Sequence, residues 1–494
     1  MSQSKKLPHY SMYINGEFVD ATKNKLFSIN PHTGAPWATF ATSKAKDIET
    51  AVVAARRSLD RGMWAEMLPT SRGKLLFKLA DLIEEHSALI GEIETNDSGK
   101  LLAETVIQTK YVADYYRYYA GLADKIEGAT LPIDKPDMHV FTTNEPIGIV
   151  AAVVPWNAQM FLTATKLAPA LAAGCAVILK ASEIAPCALL YFAKLIHAAG
   201  FPKGVVSVVT GDASDCAIPL TTHPDIDRIA FTGGPDTAKQ IIINSAENFA
   251  VTTLELGGKS PILVFEDANI ESAVNGIIAG NYGASGQSCV AGSRVIVHRT
   301  IKQKLIAKLI EKVNLINVGS PTNAKTHVGP LCTEQQITLI ETTLEDAKLQ
   351  GAKILFGGKR KDVEGYYFEP TLVDCHDDSI ATFKVEMFGP VMSMLSFNEE
   401  QEAIDLANNT DYGLGSGVFT DNLARAHRVS KKIRAGICWI NSYRAISPIA
   451  PFGGYKRSGY AREAGLQAIN DYLRTKTTWI NVSSEPMANP FVMR

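Results

Sequence analysis

The chain has 494 residues, more than one hydrophobic core normally serves, so two or three domains are expected. Hydrophobic residues make up 46% and charged residues 20%, with a formal net charge of -2; that balance supports neither a nucleic-acid partner nor a membrane-surface one. The longest apolar stretch, residues 167 to 179, is interrupted by Pro169 and Gly174 and falls short of the ~20 residues that a membrane span requires.

No apolar run follows the basic start MSQSKK, so a signal peptide is not expected. Seven cysteines are scattered with no CxxC pair, and a reducing, cytoplasmic compartment is the simpler reading. The ten histidines form no HExxH or similar ligand pair, which leaves a catalytic metal without a visible home.

In chain order, residues 47 to 90 hold two stretches with apolar residues at helical spacing, DIETAVVAARRSL and RGKLLFKLADLIEEH. A third runs from about Leu101 to Ala123, and its tyrosines read as helix packing. From Gly148 the texture alternates. GIVAAVVPW reads as a buried strand, MFLTATKLAPALAAG as a helix closed by Gly174, CAVILK as a strand and CALLYFAKLIHAAG as a helix closed by Gly200. VVSVVTG, DRIAFTGG and VTTLELGG continue as strands, with TAKQIIINSA as a helix between the last two. Strands separated by helices imply a parallel, doubly wound sheet, which binds ligands at the carboxyl ends of its strands. PWN, LKASE, FTGG and ELGG all fall there.

A second α/β segment begins near Ser260, with RVIVH, AKILFGG, PVMSMLSF, SGVFT and GICWIN as strands. GLGSG at 413 to 417 precedes a strand rather than a helix, so it reads as a loop and not as a dinucleotide fingerprint. Residues 126 to 146 read as an excursion into a β-hairpin, and LRTKTTWINV near the end as a strand. Unpaired edges are a liability, so both are expected to pair with a neighbouring subunit.

Three motifs carry chemistry. GASGQSCVAGSR sets Cys289 among small residues, where a carbonyl can approach a thiol; the alternative is a small buried hydrophobe. TTLELGGKSP ends a strand with Glu255 above two glycines, which suits a general base or a surface carboxylate beside a turn. AVVPWN offers Asn157, an oxyanion donor or a turn residue.

Together, PWN, LKASE, FTGG with ELGGKSP, GQSC, and EMFGP followed by PFGGYKRSGYAREAG resemble the aldehyde dehydrogenase superfamily, in its order and over essentially the whole chain. The resemblance implies an α/β fold: a doubly wound parallel-sheet cofactor domain at 1–125 and 147–257, a second α/β catalytic domain at 258–457, and a small β oligomerisation arm at 126–146 and 475–494. It implies Cys289 as nucleophile, Glu255 as the base that activates water, Asn157 with the Cys289 N–H as oxyanion hole, and Lys166 with Glu463 as a proton relay. It also implies NAD, with NADP as the less favoured cofactor. Lys180 and Glu183 would lie at the adenosine ribose, and Val154, Trp156, Gly233, Gly234 and Leu256 along the cofactor. Glu386 and Phe388 would lie at the nicotinamide ribose and ring. The bound cofactor's charge and local donors are expected to favour the thiolate of Cys289. A homodimer or homotetramer is expected.

Gly234 stands where many relatives have Ser, Ala181 where Pro is common and Ala461 where Gly is usual; none is the nucleophile or the base. A CoA-acylating dehydrogenase is the nearest alternative, and Glu255 argues against it. A thiol hydrolase or a non-catalytic structural protein would leave the cofactor-site matches idle. The aldehyde itself is not given by the motifs. Arg444 falls in NSYRAISPIAPFGG, which resembles the outer tunnel of the family, and reads either as a clamp for a substrate carboxylate or as a structural or intersubunit contact.

Overall fold

A computed structural model of the chain describes residues 6–20, 26–487 and 489–492. Residues 1–5, with part of the basic start, and residues 488, 493 and 494 of the expected arm lie outside the described residues.

The apolar runs after Gly148 form the centre of an eight-stranded sheet. Ile149–Val153, Ala176–Ala181, Val206–Thr210, Arg228–Gly233 and Val251–Leu256 are parallel to one another, and the inner strands are buried along nearly their whole length. Burial on both faces is what continuous apolar runs without alternation require. The parallel part of the sheet starts at Ile149–Val153 and adds Ala176–Ala181 and Val206–Thr210 on one side. The chain then returns to add Arg228–Gly233 and Val251–Leu256 on the other. The order therefore reverses between Ile149–Val153 and Arg228–Gly233, and the crevice beyond their carboxyl ends is where such sheets bind ligands.

Helix Gln159–Ala173 is buried on every side and ends at Gly174, whose φ of 97° lets its N–H reach the Ala170 carbonyl at 3.1 Å. A Cβ on Gly148, at φ 132°, would collide with the Asp227 carboxylate, which accepts from the Ile149 N–H at 2.9 Å.

A seven-stranded sheet holds, in order, Lys353–Phe356, Thr371–Asp374, Val391–Phe397, Arg294–His298, Pro261–Val264, Gly417–Phe419 and Trp439–Ile440. Only the first pair is antiparallel. After it the chain crosses back, and Gly459–Tyr460 pairs antiparallel with Val251–Leu256 of the first sheet. This return carries Glu463 to the side of Glu255.

The expected hairpin at 126 to 146 is instead one long strand, Met138–Pro146, with a single bridge from Thr130 to Phe141. It pairs antiparallel with Leu473–Asn481 over its whole length. The two segments thus pair with each other within one chain, through one edge of each strand. The sequence reading also passed over Met12–Ile14 and Glu17–Val19, which complete the first sheet, a three-stranded sheet of His9–Tyr10, Ala35–Phe40 and Leu26–Asn30, and helix Ser87–Ser98. Among the described residues no helix is long and apolar enough to cross a membrane.

Candidate active site

The strand ends converge on a cavity of about 260 Å³. Trp156 and Asn157 come from the end of the first inner strand, Gly233 and Gly234 from the returning one, and Glu255 and Leu256 from the last. Cys289, Glu386 and Phe388 reach it from loops of the second unit. Val154, Lys166, Lys180, Glu183 and Glu463 do not line it.

The loop that carries Cys289 is built to hold an unfavourable shape. Ala284 and Ser285 adopt left-handed backbone, φ 52° and 54°, at a cost of order 1–3 kcal/mol each. Four contacts hold them there. The Ala284 N–H donates to Glu104 Oε1 at 3.1 Å and Ser285 Oγ to the Gly329 carbonyl at 3.0 Å. Gln287 Oε1 accepts from the Cys332 N–H at 2.8 Å, and the Gln287 carbonyl accepts from Asn157 Nδ2 at 3.1 Å. The last contact fixes the Asn157 amide beside the Cys289 loop and leaves its second N–H free of that bond.

Local donors and Arg444 favour the thiolate, but burial and the nearby carboxylates outweigh them. Burial, then the Glu386 and Glu255 carboxylates, push the Cys289 thiol up to about 12, with Arg444 and a backbone N–H opposing. A positive charge brought to this cavity would act against all three.

Glu255 is buried, and neither of its oxygens makes a hydrogen bond with a described residue. Desolvation, then Glu463, hold its carboxyl well above the usual range, with Lys166 and Arg462 opposing. Glu463 itself is anchored. It is ion-paired with Lys166 Nζ and accepts from Thr165 Oγ1 at 2.6 Å, and Lys166 also donates to Thr232 Oγ1 at 2.6 Å. The proposed relay residues therefore form a buried ion pair behind Glu255.

On the sheet side, Lys180 near the end of strand Ala176–Ala181 pairs at 2.7 Å with Glu183 just past it, and Glu183 is partly exposed. Val154 lies beneath, its N–H bonded to the Lys180 carbonyl at 3.1 Å. Glu386 Oε1 accepts from the Gly258 N–H at 2.8 Å, and a Cβ on Gly257 would collide with its other oxygen. Burial raises Glu386 to about 7, with Gly258 N–H and Lys259 opposing. Trp156 and Phe388 meet edge to face at 5.6 Å. Gly234 caps helix Pro235–Asn248 and faces open space, so backbone N–H groups at a helix start are open to a phosphate. An open Gly234, a helix start and the Glu183 and Glu386 carboxylates fit an extended dinucleotide.

Glu104, Gln336, Leu339 and Thr232 were missed. Gln336 and Leu339 line the cavity from helix Glu334–Leu349, and Gln336 Nε2 bonds the Met387 carbonyl beside Phe388. Their segment looks like any amphipathic helix, so the sequence carried no signal for them.

A doubly wound sheet whose switch point faces a thiol on a second α/β unit, with a buried carboxylate opposite, describes an aldehyde-oxidising dehydrogenase. The comparisons agree. Residues 18–478 match the aldehyde dehydrogenase family. A (Z)-2-((N-methylformamido)methylene)-5-hydroxybutyrolactone dehydrogenase of Acinetobacter baylyi is 51% identical over 99% of this chain and 100% of that protein. An aldehyde dehydrogenase of Bacillus cereus, solved as its NAD+ complex, is 40% identical with a TM-score of 0.94, over 96% of this chain and 97% of that one. Betaine aldehyde dehydrogenase of Staphylococcus aureus, also solved with NAD+, is 37% identical with a TM-score of 0.94, over 97% and 96%. The chain belongs to the aldehyde dehydrogenase family and is an oxidoreductase acting on aldehydes.

Proposed function

We propose that the enzyme oxidises its aldehyde to the carboxylic acid through a thioester on Cys289, hydrolysed by water that Glu255 activates. The carrying observation is that Glu255, buried and without a hydrogen bond to any described residue, lines the same cavity as Cys289. The sulfur of Cys289, as thiolate, bonds to the aldehyde carbon. Asn157 Nδ2 and the Cys289 N–H donate to the oxygen as it gains charge. NAD+ supplies the hydride acceptor, and loss of hydride from that carbon leaves an acyl group on sulfur. Glu255 then takes a proton from water, whose oxygen bonds to the acyl carbon, and the C–S bond breaks with its electrons on sulfur. Glu463, paired with Lys166, is placed to take part in moving that proton away. A carboxylate at this point favours water over coenzyme A as acyl acceptor.

Lys180 and Glu183 would hold the adenosine ribose, with Val154, Trp156, Gly233, Gly234 and Leu256 along the cofactor and Glu386 and Phe388 at the nicotinamide end. Glu183 would meet the extra phosphate of NADP with like charge, so NAD is preferred. Residues 1–125 and 147–257 read as the cofactor domain, 258–457 as the catalytic domain, and 126–146 with 475–494 as an oligomerisation arm. Apolar Trp479, Ile480 and Val482 lie exposed on or beside the two-stranded sheet, and Ile242, Ile243 and Phe249 are exposed at helix Pro235–Asn248. Surfaces of this kind support a homodimer or homotetramer.

The Acinetobacter relative is named for a 5-hydroxybutyrolactone. Such a ring is the closed form of a four-carbon chain with an aldehyde at one end and a carboxylate at the other. We infer that aldehyde acids of this kind, open or ring-closed, are the substrate class here.

Glu255→Gln should give a burst of NADH near one equivalent per active site, then a steady rate lower by roughly 100-fold or more. An unchanged steady rate would remove Glu255 as the base. In wild type, kcat/KM for NAD should exceed that for NADP by roughly ten- to a hundred-fold, and equal values would contradict the role given to Glu183. Sedimentation at micromolar concentration should show a dimer or tetramer; a stable monomer of 53.5 kDa would defeat the assembly reading.

A further inference from the structure

Arg444 lies in a segment that is tied down along its length. Trp439 Nε1 donates to the Ala445 carbonyl at 2.8 Å, Tyr111 Oη to the Ile446 carbonyl at 2.9 Å, and the Gly465 N–H to the Pro448 carbonyl at 2.8 Å. The neighbouring Tyr443 donates its hydroxyl to the carbonyl of Val290, the residue after the nucleophile, at 2.9 Å. Arg444 itself takes a left-handed φ of 66°, a shape that a long side chain adopts only when its surroundings impose it.

The guanidinium is anchored on one edge. Nη1 donates to the Ala279 carbonyl at 2.9 Å, and a Cβ on Gly283 would collide with that nitrogen. Gly283 opens the loop that leads to Cys289. Thus both the backbone before Arg444 and the end of its side chain rest on the nucleophile's own supports. The rest of the guanidinium is unclaimed. Among the described residues, Nε and Nη2 make no hydrogen bond with the protein, and no carboxylate lies within ion-pair distance. The residue is only half-buried. Its charge is felt at the thiol, where it opposes the pull of Glu386 and Glu255.

Arg72, Arg294 and Arg462 also meet carbonyls rather than carboxylates, but each donates to two or three of them, whereas Arg444 donates to one. One carbonyl contact fixes its position but does not use its charge. Two adjacent N–H groups left free on a fixed planar group match a carboxylate in a two-pronged contact.

We propose that Arg444 is the specificity residue that pairs with the carboxylate of an aldehyde acid while its aldehyde carbon meets Cys289. The proposal rests on the substrate class inferred above and goes beyond it by naming the residue that selects the acid. An uncharged aldehyde of the same length gains nothing from this contact. Lysine, a point charge without the fork, would replace it only in part.

The test compares 4-oxobutanoate with its methyl ester, a neutral aldehyde of similar length, as substrates of wild type, Arg444→Gln and Arg444→Lys. Wild type should favour the acid. In Arg444→Gln the ratio of kcat/KM, acid over ester, should fall by at least ten-fold, mainly through KM for the acid, and Arg444→Lys should fall between. Raised salt should lower the wild-type ratio and leave that of Arg444→Gln nearly flat. An equal loss on both substrates, with or without a change of assembly in sedimentation, would make Arg444 a structural or intersubunit residue and overturn the proposal. So would an unaltered ratio. Absence of NADH from either substrate in wild type would instead strike the proposed reaction itself, and the clamp with it.

Discussion

A carboxylate held among apolar groups, with no hydrogen bond to either oxygen, is an expensive thing for a protein to fold around. Glu255 sits at the end of a buried parallel strand, and the fold offers it only distant charges. Lys166 and Arg462 favour its ionised form, while Glu463 opposes it. Much of the surrounding structure follows from keeping this group in place without satisfying it. The chain leaves the second sheet and returns as Gly459–Tyr460 beside Glu255's own strand, which brings Glu463 in behind. Glu463 is then neutralised by Lys166 from the fully buried helix Gln159–Ala173. An ion pair so placed sets the field at Glu255 without touching it.

The Cys289 loop obeys the same logic from the other side. Its loop holds left-handed residues that would relax in isolation, and Glu104, Gly329 and Cys332 keep them in place. The resulting thiol is surrounded by carboxylates that make it reluctant to ionise. Burial thus shifts both groups toward their protonated forms, and positive charge brought into the cavity would act against that shift.

The alternation of strand and helix after Gly148 was legible because each apolar run is bounded by Gly or Pro. Strand ends then placed PWN, FTGG and ELGG at one edge without knowledge of the fold. Cys289, Glu255 and Asn157 were legible as chemistry-bearing types in small-residue loops. Other features carried no local signal. Met12–Ile14 and Glu17–Val19 are too short to show a period. The pairing of Met138–Pro146 with Leu473–Asn481 joins opposite ends of the sequence, and no local pattern encodes it. Glu104 looks like an ordinary acidic residue in a helix's first turn until the Ala284 N–H is seen on it. The charge balance at Cys289 depends on Glu386, remote in sequence, which no local pattern reveals.

The central claim is that burial keeps Glu255 far from its ordinary titration range while leaving it free to accept a proton from water. Infrared difference spectra between wild type and Glu255→Gln, recorded across a pH series on the enzyme without substrate, read this carboxyl directly. A raised pKa means that the protonated form persists as pH increases, so a carboxylic-acid carbonyl band should survive well above the usual glutamate value of about 4.3. The matching carboxylate band should appear only at higher pH. A carboxylate band already complete near pH 5 would show an ordinary, solvated glutamate, and would contradict the account.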